Sequence, residues 1–241
     1  MAFWALQGNH ILLVGPASSG KTTAAMQFAE DMSLELYSQP LSLSVFDVLG
    51  FVGPQGRVET EFSRAWINGG IFLWDELSMS AKEAIGALNA ALANGFASFP
   101  GLGVIKKHDN FRMVAGDNSD IGGTLKYAAR ELLDGASLDR FIRIEWDIDS
   151  AVEDSLGASA PGWRACVRAI RAFIDARDIQ HVGATMRATI AGCRAMQTPA
   201  FKAGQVPRAW ILEDTCKRGA LAAEWPAVLQ LPAVRAFLQG A

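Results

Sequence analysis

Gly15-Pro16-Ala17-Ser18-Ser19-Gly20-Lys21-Thr22 fits the pattern G-x-x-x-x-G-K-[ST]. Its glycines let backbone N–H groups turn inward, and a helix N-terminus behind them adds partial positive charge, so the loop attracts phosphate. The flanks decide whether the pattern is structural. His10–Gly15 (HILLVG) is a short apolar run ending in glycine, which predicts a buried parallel strand. Thr22–Met32 (TTAAMQFAEDM) is rich in alanine and predicts a helix. Strand, glycine-rich turn and helix in that order make this a P-loop. Lys21 then reaches the β- and γ-phosphates and the Thr22 hydroxyl ligates Mg²⁺. The cofactor-binding stretch is Gly15, Pro16, Ala17, Ser18, Ser19, Gly20, Lys21, Thr22 and Thr23.

Outward from the loop, Ile71-Phe72-Leu73-Trp74-Asp75-Glu76 sets two acids behind four apolar residues. A strand buried in a parallel sheet delivers its C-terminal residues to the ligand crevice. Asp75 is placed on the metal side, and Glu76 is placed as the base that orients or deprotonates the attacking water. Phe111–Ala115 predicts a third strand leading to Asn118, a turn residue or a polar contact to the γ-phosphate. Arg140 stands just ahead of a fourth strand, Phe141–Trp146. Its charge suits phosphate oxygens, and the plain alternative is a surface ion pair with Asp139 or Glu131. Arg187 starts a helix at Thr185–Met196, with a solvated helix position as the alternative.

Leu36–Ser38 is a further candidate strand, and Ser80–Ala93 a helix capped by Ser80 with Glu83 as its capping-box partner. After Asp149 the pattern turns helical. Trp163–Ala176 places Trp163, Cys166, Val167, Ile170, Phe173 and Ile174 on one face. Pro207–Lys217, with Pro207 at the first helical position, and Ala233–Leu238 follow. Charge shifts at the same place. Residues 1–150 hold 11 basic and 18 acidic side chains, and residues 151–241 hold 11 and 7. The 241 residues therefore divide into an α/β domain, 1–150, and a helical lid, 151–241. The net charge of −3 gives no basic footprint for nucleic acid. Three cysteines without paired spacing suit a reducing compartment. No apolar run reaches membrane-spanning length, and the start carries no secretory pattern, so a cytoplasmic protein without a membrane role is expected.

Together these segments resemble the AAA+ ATPases, in particular the MoxR-like and dynein-related branch that includes CbbQ, NorQ and CobS. In the resemblance, Gly15–Thr22 is Walker A and Ile71–Glu76 is Walker B. His108-Asp109-Asn110-Phe111-Arg112 is similar to the H-x-N-F-R strand that leads to sensor 1, here Asn118. Leu138-Asp139-Arg140-Phe141 matches the arginine-finger segment, and Arg187 the sensor-2 position. The stretch from Leu49-Gly50 to Ala65 resembles the first pore-loop region, and Phe96–Lys107 the hairpin before sensor 1. The resemblance implies a P-loop sheet of order 5-1-4-3-2, a helical lid, ATP and Mg²⁺ as cofactors, and a homo-oligomeric, hexameric ring acting on a client protein whose identity is unknown. Asp117 departs from the small residue common before the sensor asparagine. A DNA-handling motor is the less favoured alternative, resting on Lys106 and Lys107 in the hairpin. A third reading is a nucleotide-gated scaffold with slow turnover.

Overall fold

Five parallel strands carry the nucleotide-type motifs. The computed structural model describes residues 1–118, 138–179 and 183–240. Along the chain the strands are β1 (His10–Gly15), β2 (Leu36–Gln39), β3 (Phe51–Gly53), β4 (Gly56–Val58), β5 (Gly70–Trp74), β6 (Phe96–Phe99), β7 (Gly103–Lys106), β8 (Phe111–Asn118) and β9 (Phe141–Glu145). The main sheet runs β2-β5-β8-β1-β9, all neighbours parallel. Counted among these five strands alone, that order is 5-1-4-3-2. β3 with β4 and β6 with β7 form two small antiparallel hairpins.

Helices cover both faces, so the central strands are apolar throughout rather than alternating. On one face Ile11, Leu13, Ile71, Leu73 and Val114 pack against Ala24, Ala25 and Phe28 of α2 (Lys21–Asp31). On the other, Leu12, Val14, Phe72, Trp74 and Met113 pack against Phe62 and Trp66 of α4 (Glu61–Asn68) and Ile85 and Leu88 of α5 (Lys82–Asn94). Among the described residues, short helices α1 (Ala2–Leu6) and α3 (Val45–Leu49) complete this part.

Contacts divide the chain into two compact units, Met1–Pro16 with Gly20–Asp147, and Ala17–Ser19 with Ile148–Ala241. The described part of the second unit after Asp147 contains no strand. Its helices are α6 (Ser150–Leu156), α7 (Pro161–Ala176), α8 (Met186–Gln197), α9 (Pro199–Lys202), α10 (Arg208–Cys216), α11 (Trp225–Val228) and α12 (Pro232–Gln239). The apolar face of α7 buries Trp163, Val167, Ile170 and Ile174 against Leu212, Trp225 and Phe237. Cys166, Cys193 and Cys216 are buried, and none is in a disulfide. Burial pushes the Cys166 and Cys216 thiols up to about 12, so both stay protonated and inert.

Two local expectations change. α5 begins at Lys82 with Ala81 at its N-cap, and no side-chain cap. The Ser80 hydroxyl instead accepts from Trp74 Nε1 at 3.0 Å and from the Ser42 N–H at 2.9 Å. A tertiary pairing has outcompeted the capping box. Pro207 is the N-cap of α10 rather than its first helical residue. β8 ends on the polar Asn118 to which the sequence leads the strand, with Gly116 and Asp117 also buried in the sheet.

Candidate nucleotide site

Strand register assembles the site. Gly15 pairs with Asn118 across β1 and β8, and Trp74 pairs with Ala115 across β5 and β8. The C-terminal ends of three adjacent strands therefore open on one edge, where crevices of parallel sheets bind ligands. From β1 the chain turns through Ser18 and Gly20, both left-handed at φ 67° and 90°, and enters α2 at Lys21.

Lys21 is 7% exposed, which is rare for a lysine and requires partners for its charge. Its ammonium donates to the Gly15 carbonyl at 3.0 Å, the Pro16 carbonyl at 2.9 Å and Asn118 Oδ1 at 3.1 Å. A cation is thus held at the mouth of the loop, with the Asn118 amide beside it. Thr22 and Thr23, the next two residues of α2, are exposed. The Thr22 hydroxyl donates to Asp75 Oδ2 at 3.1 Å. A hydroxyl and a carboxylate side by side form the hard oxygen pair that suits Mg²⁺. The loop, Lys21 and this pair all fit a metal-bound nucleotide.

Asp75 and Glu76 follow β5 directly. Asp75 Oδ1 accepts the Glu76 N–H at 3.1 Å. Glu76 is exposed and left-handed at φ 55°, and a 3₁₀ turn, Leu77–Met79, starts after it. That backbone turns the glutamate out of the strand direction into solvent. A Cβ on Gly116 would stand 2.8 Å from Asp75 Oδ1. Glycine there lets the carboxylate lie against β8.

Sequence reasoning missed Ser78 and the role of Asp117. Asp117, 1% exposed, accepts the Ser78 N–H at 3.0 Å, the Ser78 hydroxyl at 2.8 Å and the Asn118 N–H at 2.8 Å. Nothing in the local sequence joins these residues. The only signal is that an acid inside an apolar strand needs partners.

Register sets Arg140 apart from this group. Phe141 pairs with His10 at the start of β1, so half-buried Arg140 lies at the opposite end of the sheet from its own Gly15, Lys21 and Asn118. Its suggested partner Glu131 lies outside the described residues. Arg187 is exposed, the second residue of α8.

A family model described as AAA domain (dynein-related subfamily) matches residues 10–134, just over half of the chain. No curated protein sequence matches it. Among solved structures, a Thermotoga maritima RuvB mutant is 15% identical with a TM-score of 0.54, covering 81% of this chain and 57% of that one. NtrX from Brucella abortus in complex with ATP is 12% identical with a TM-score of 0.56, covering 77% and 46%. At such identities the likeness is one of fold, and this chain spans about half the length of each structure. No helix among the described residues is long and apolar enough to cross a membrane. Motif, strand order and family match converge: this chain belongs to the dynein-related subfamily of AAA domains and is a P-loop ATPase domain.

Proposed function

We propose that the chain hydrolyses ATP at the subunit interfaces of a ring, as the MoxR-like branch does, and uses the cycle to remodel a client protein. Residues 1–150 act as the nucleotide-binding domain and 151–241 as its helical lid. The observation that carries the reading is the meeting of Lys21, Asn118, Thr22 and Asp75 at adjacent strand ends, each pair at 3.1 Å. Lys21 supplies a fixed charge for phosphate oxygens. Thr22 and Asp75 hold Mg²⁺, which neutralises charge building on the β- and γ-phosphates. Glu76 orients and deprotonates water, Asn118 positions it, and Arg187 serves as the lid's phosphate sensor.

The place of Arg140 supports the ring. A guanidinium at the far end of its own sheet is badly sited for its own nucleotide, and well sited to serve a neighbour's. Such a finger contributes a rate factor of about a thousand or more. Buried cysteines without disulfides fit a reducing cytoplasm.

A protein client is favoured over DNA by the β6–β7 hairpin. Lys106 ends β7 and the Lys107 N–H bonds back to the Gly95 carbonyl, so both lysines stand at the hairpin's base. Near its tip, Leu102 and Val104 are 47% and 67% exposed. An apolar tip suits protein, whereas a phosphate backbone needs cations there.

A mixing experiment tests the reading. Turnover per chain should rise with protein concentration while the ring assembles. Arg140→Ala should bind ATP and lose hydrolysis. Adding Lys21→Ala should restore part of it, because an intact loop then faces an intact finger. No rescue at any ratio, with a monomeric wild type in ATP, removes the ring. A wild type that binds ATP without detectable phosphate release would leave the scaffold reading.

A further inference from the structure

We propose that Asp117 and Ser78 are positioning residues that fix the Glu76 turn and thereby set the rate of hydrolysis, without touching nucleotide. This rests on reading Glu76 as the base.

Glu76 has a left-handed backbone, a costly conformation for a residue with a side chain. Such a conformation persists only when surrounding contacts over-determine it. Here its N–H is held by Asp75 Oδ1 at 3.1 Å, and its carbonyl accepts the Met79 N–H at 2.9 Å. The middle residue of the turn between them, Ser78, is 4% exposed and gives both its N–H and its hydroxyl to Asp117. The turn is therefore fastened to β8 through one carboxylate.

The same carboxylate accepts the N–H of Asn118, whose side chain meets Lys21 at 3.1 Å. Asp117 thus joins the strand end that faces the γ-phosphate position to the turn that carries the base. Buried with both oxygens engaged, it is not placed to take a proton from water itself. An amide cannot replace it. In either orientation of Asp117→Asn, its NH₂ group would face the Ser78 N–H or the Asn118 N–H, donor against donor.

The experiment is a double-mutant cycle on the full chain with saturating ATP and Mg²⁺, using Glu76→Gln, Ser78→Ala and their combination. Ser78→Ala removes one donor and little volume. It should lower kcat at least about tenfold, part of the roughly hundredfold cost of an ångström of misplacement. ATP Kd should stay at the wild-type value. In the Glu76→Gln background, Ser78→Ala should change the residual kcat by less than about twofold, since it acts through that side chain. Ser78→Cys, nearly isosteric with a weak donor, should fall between wild type and Ser78→Ala. It stands in if Ser78→Ala does not fold.

A wild-type kcat per folded molecule in Ser78→Ala, or in Ser78→Cys if that variant stands in, overturns the proposal, because the network would then serve stability alone. So do multiplicative losses in the double variant, which would show Ser78 acting apart from Glu76. Wild-type turnover in Glu76→Gln is a different failure. It removes the base reading itself, whatever Ser78 does.

Discussion

Asp117 and Glu153 are the two buried carboxylates among the described residues, each 1% exposed, one in the α/β unit and one in the helical unit. Their surroundings differ in kind. Asp117 takes the N–H and hydroxyl of Ser78 and the N–H of Asn118, all within reach of the proposed chemistry. Glu153, on α6, takes Arg168 Nε at 2.8 Å and Arg171 Nη2 at 2.7 Å from α7, and the Thr189 hydroxyl at 2.7 Å from α8. Burial alone would raise the Glu153 pKa. The bonds from Arg171, Arg168 and Thr189 outweigh it and hold the carboxyl at about 2. One buried charge fastens a turn that must keep its geometry during turnover. The other clasps three helices together. Burial alone therefore does not tell a functional acid from a structural one. What the acid's partners are attached to does.

The largest effect should come from breaking the clasp. Glu153→Ala leaves two arginines facing a hole and should destabilise folding by about 3 kcal/mol or more, read from urea unfolding. Asp117→Asn should cost less stability, about 1–3 kcal/mol, and more rate. If the two variants rank the other way in stability, the contrast drawn here is wrong.

Gly192→Ala sharpens the contrast within the helical unit. A Cβ there would stand 2.1 Å from the buried Trp163 ring, whose Nε1 donates to the Ala188 and Thr189 carbonyls at 3.1 Å. Overpacking should cost about 1–3 kcal/mol. Thermal melting checks it, and an unchanged midpoint would mean that the ring has room to move.

Acid should act on the two units in separate windows. His10 is buried at the start of β1, and burial, with Lys107 and Arg112 nearby, lowers its pKa from 6.5 to about 4. Above pH 6.5 it is neutral folded or unfolded. Below that the unfolded chain binds a proton that the folded chain refuses, so stability falls between pH 6.5 and about 4. For Glu153 the unfolded chain begins to bind its proton near 4.5 and the folded chain only near 2, so that stability falls between these values. Hydrogen exchange, corrected for its intrinsic pH dependence, should show β1 loosening first and the α6–α7 clasp later. Simultaneous loss would contradict the assignment of either group.

The nucleotide loop was legible because it is local. Gly15–Thr22 needs no distant partner to be read, and its apolar flanks form the strand and helix they predict. Strand order came through the family resemblance rather than through spacing, since β2 and β5 pair across two helices and a hairpin. What stayed hidden was tertiary. Ser78 and Asp117 are 39 residues apart, and only the lateral pairing of β5 with β8 brings them together. Ser80 looked like a helix cap because its sequence neighbours allow one, while its hydroxyl serves Trp74 and Ser42. Nothing beside Glu153 in the sequence marks it as buried. Only folding sets it between Arg168 and Arg171.

ATP binding to Lys21→Ala, measured by titration calorimetry beside the wild type, is the most direct test of the central claim. That claim is that the edge formed by β1, β5 and β8 is a nucleotide site built around one buried lysine. The wild type should bind ATP with Mg²⁺. Lys21→Ala, folded by circular dichroism, should bind at least about tenfold more weakly, the loss of one charge-assisted contact of 1.5–3 kcal/mol. Wild-type affinity in the folded variant would contradict the site as described.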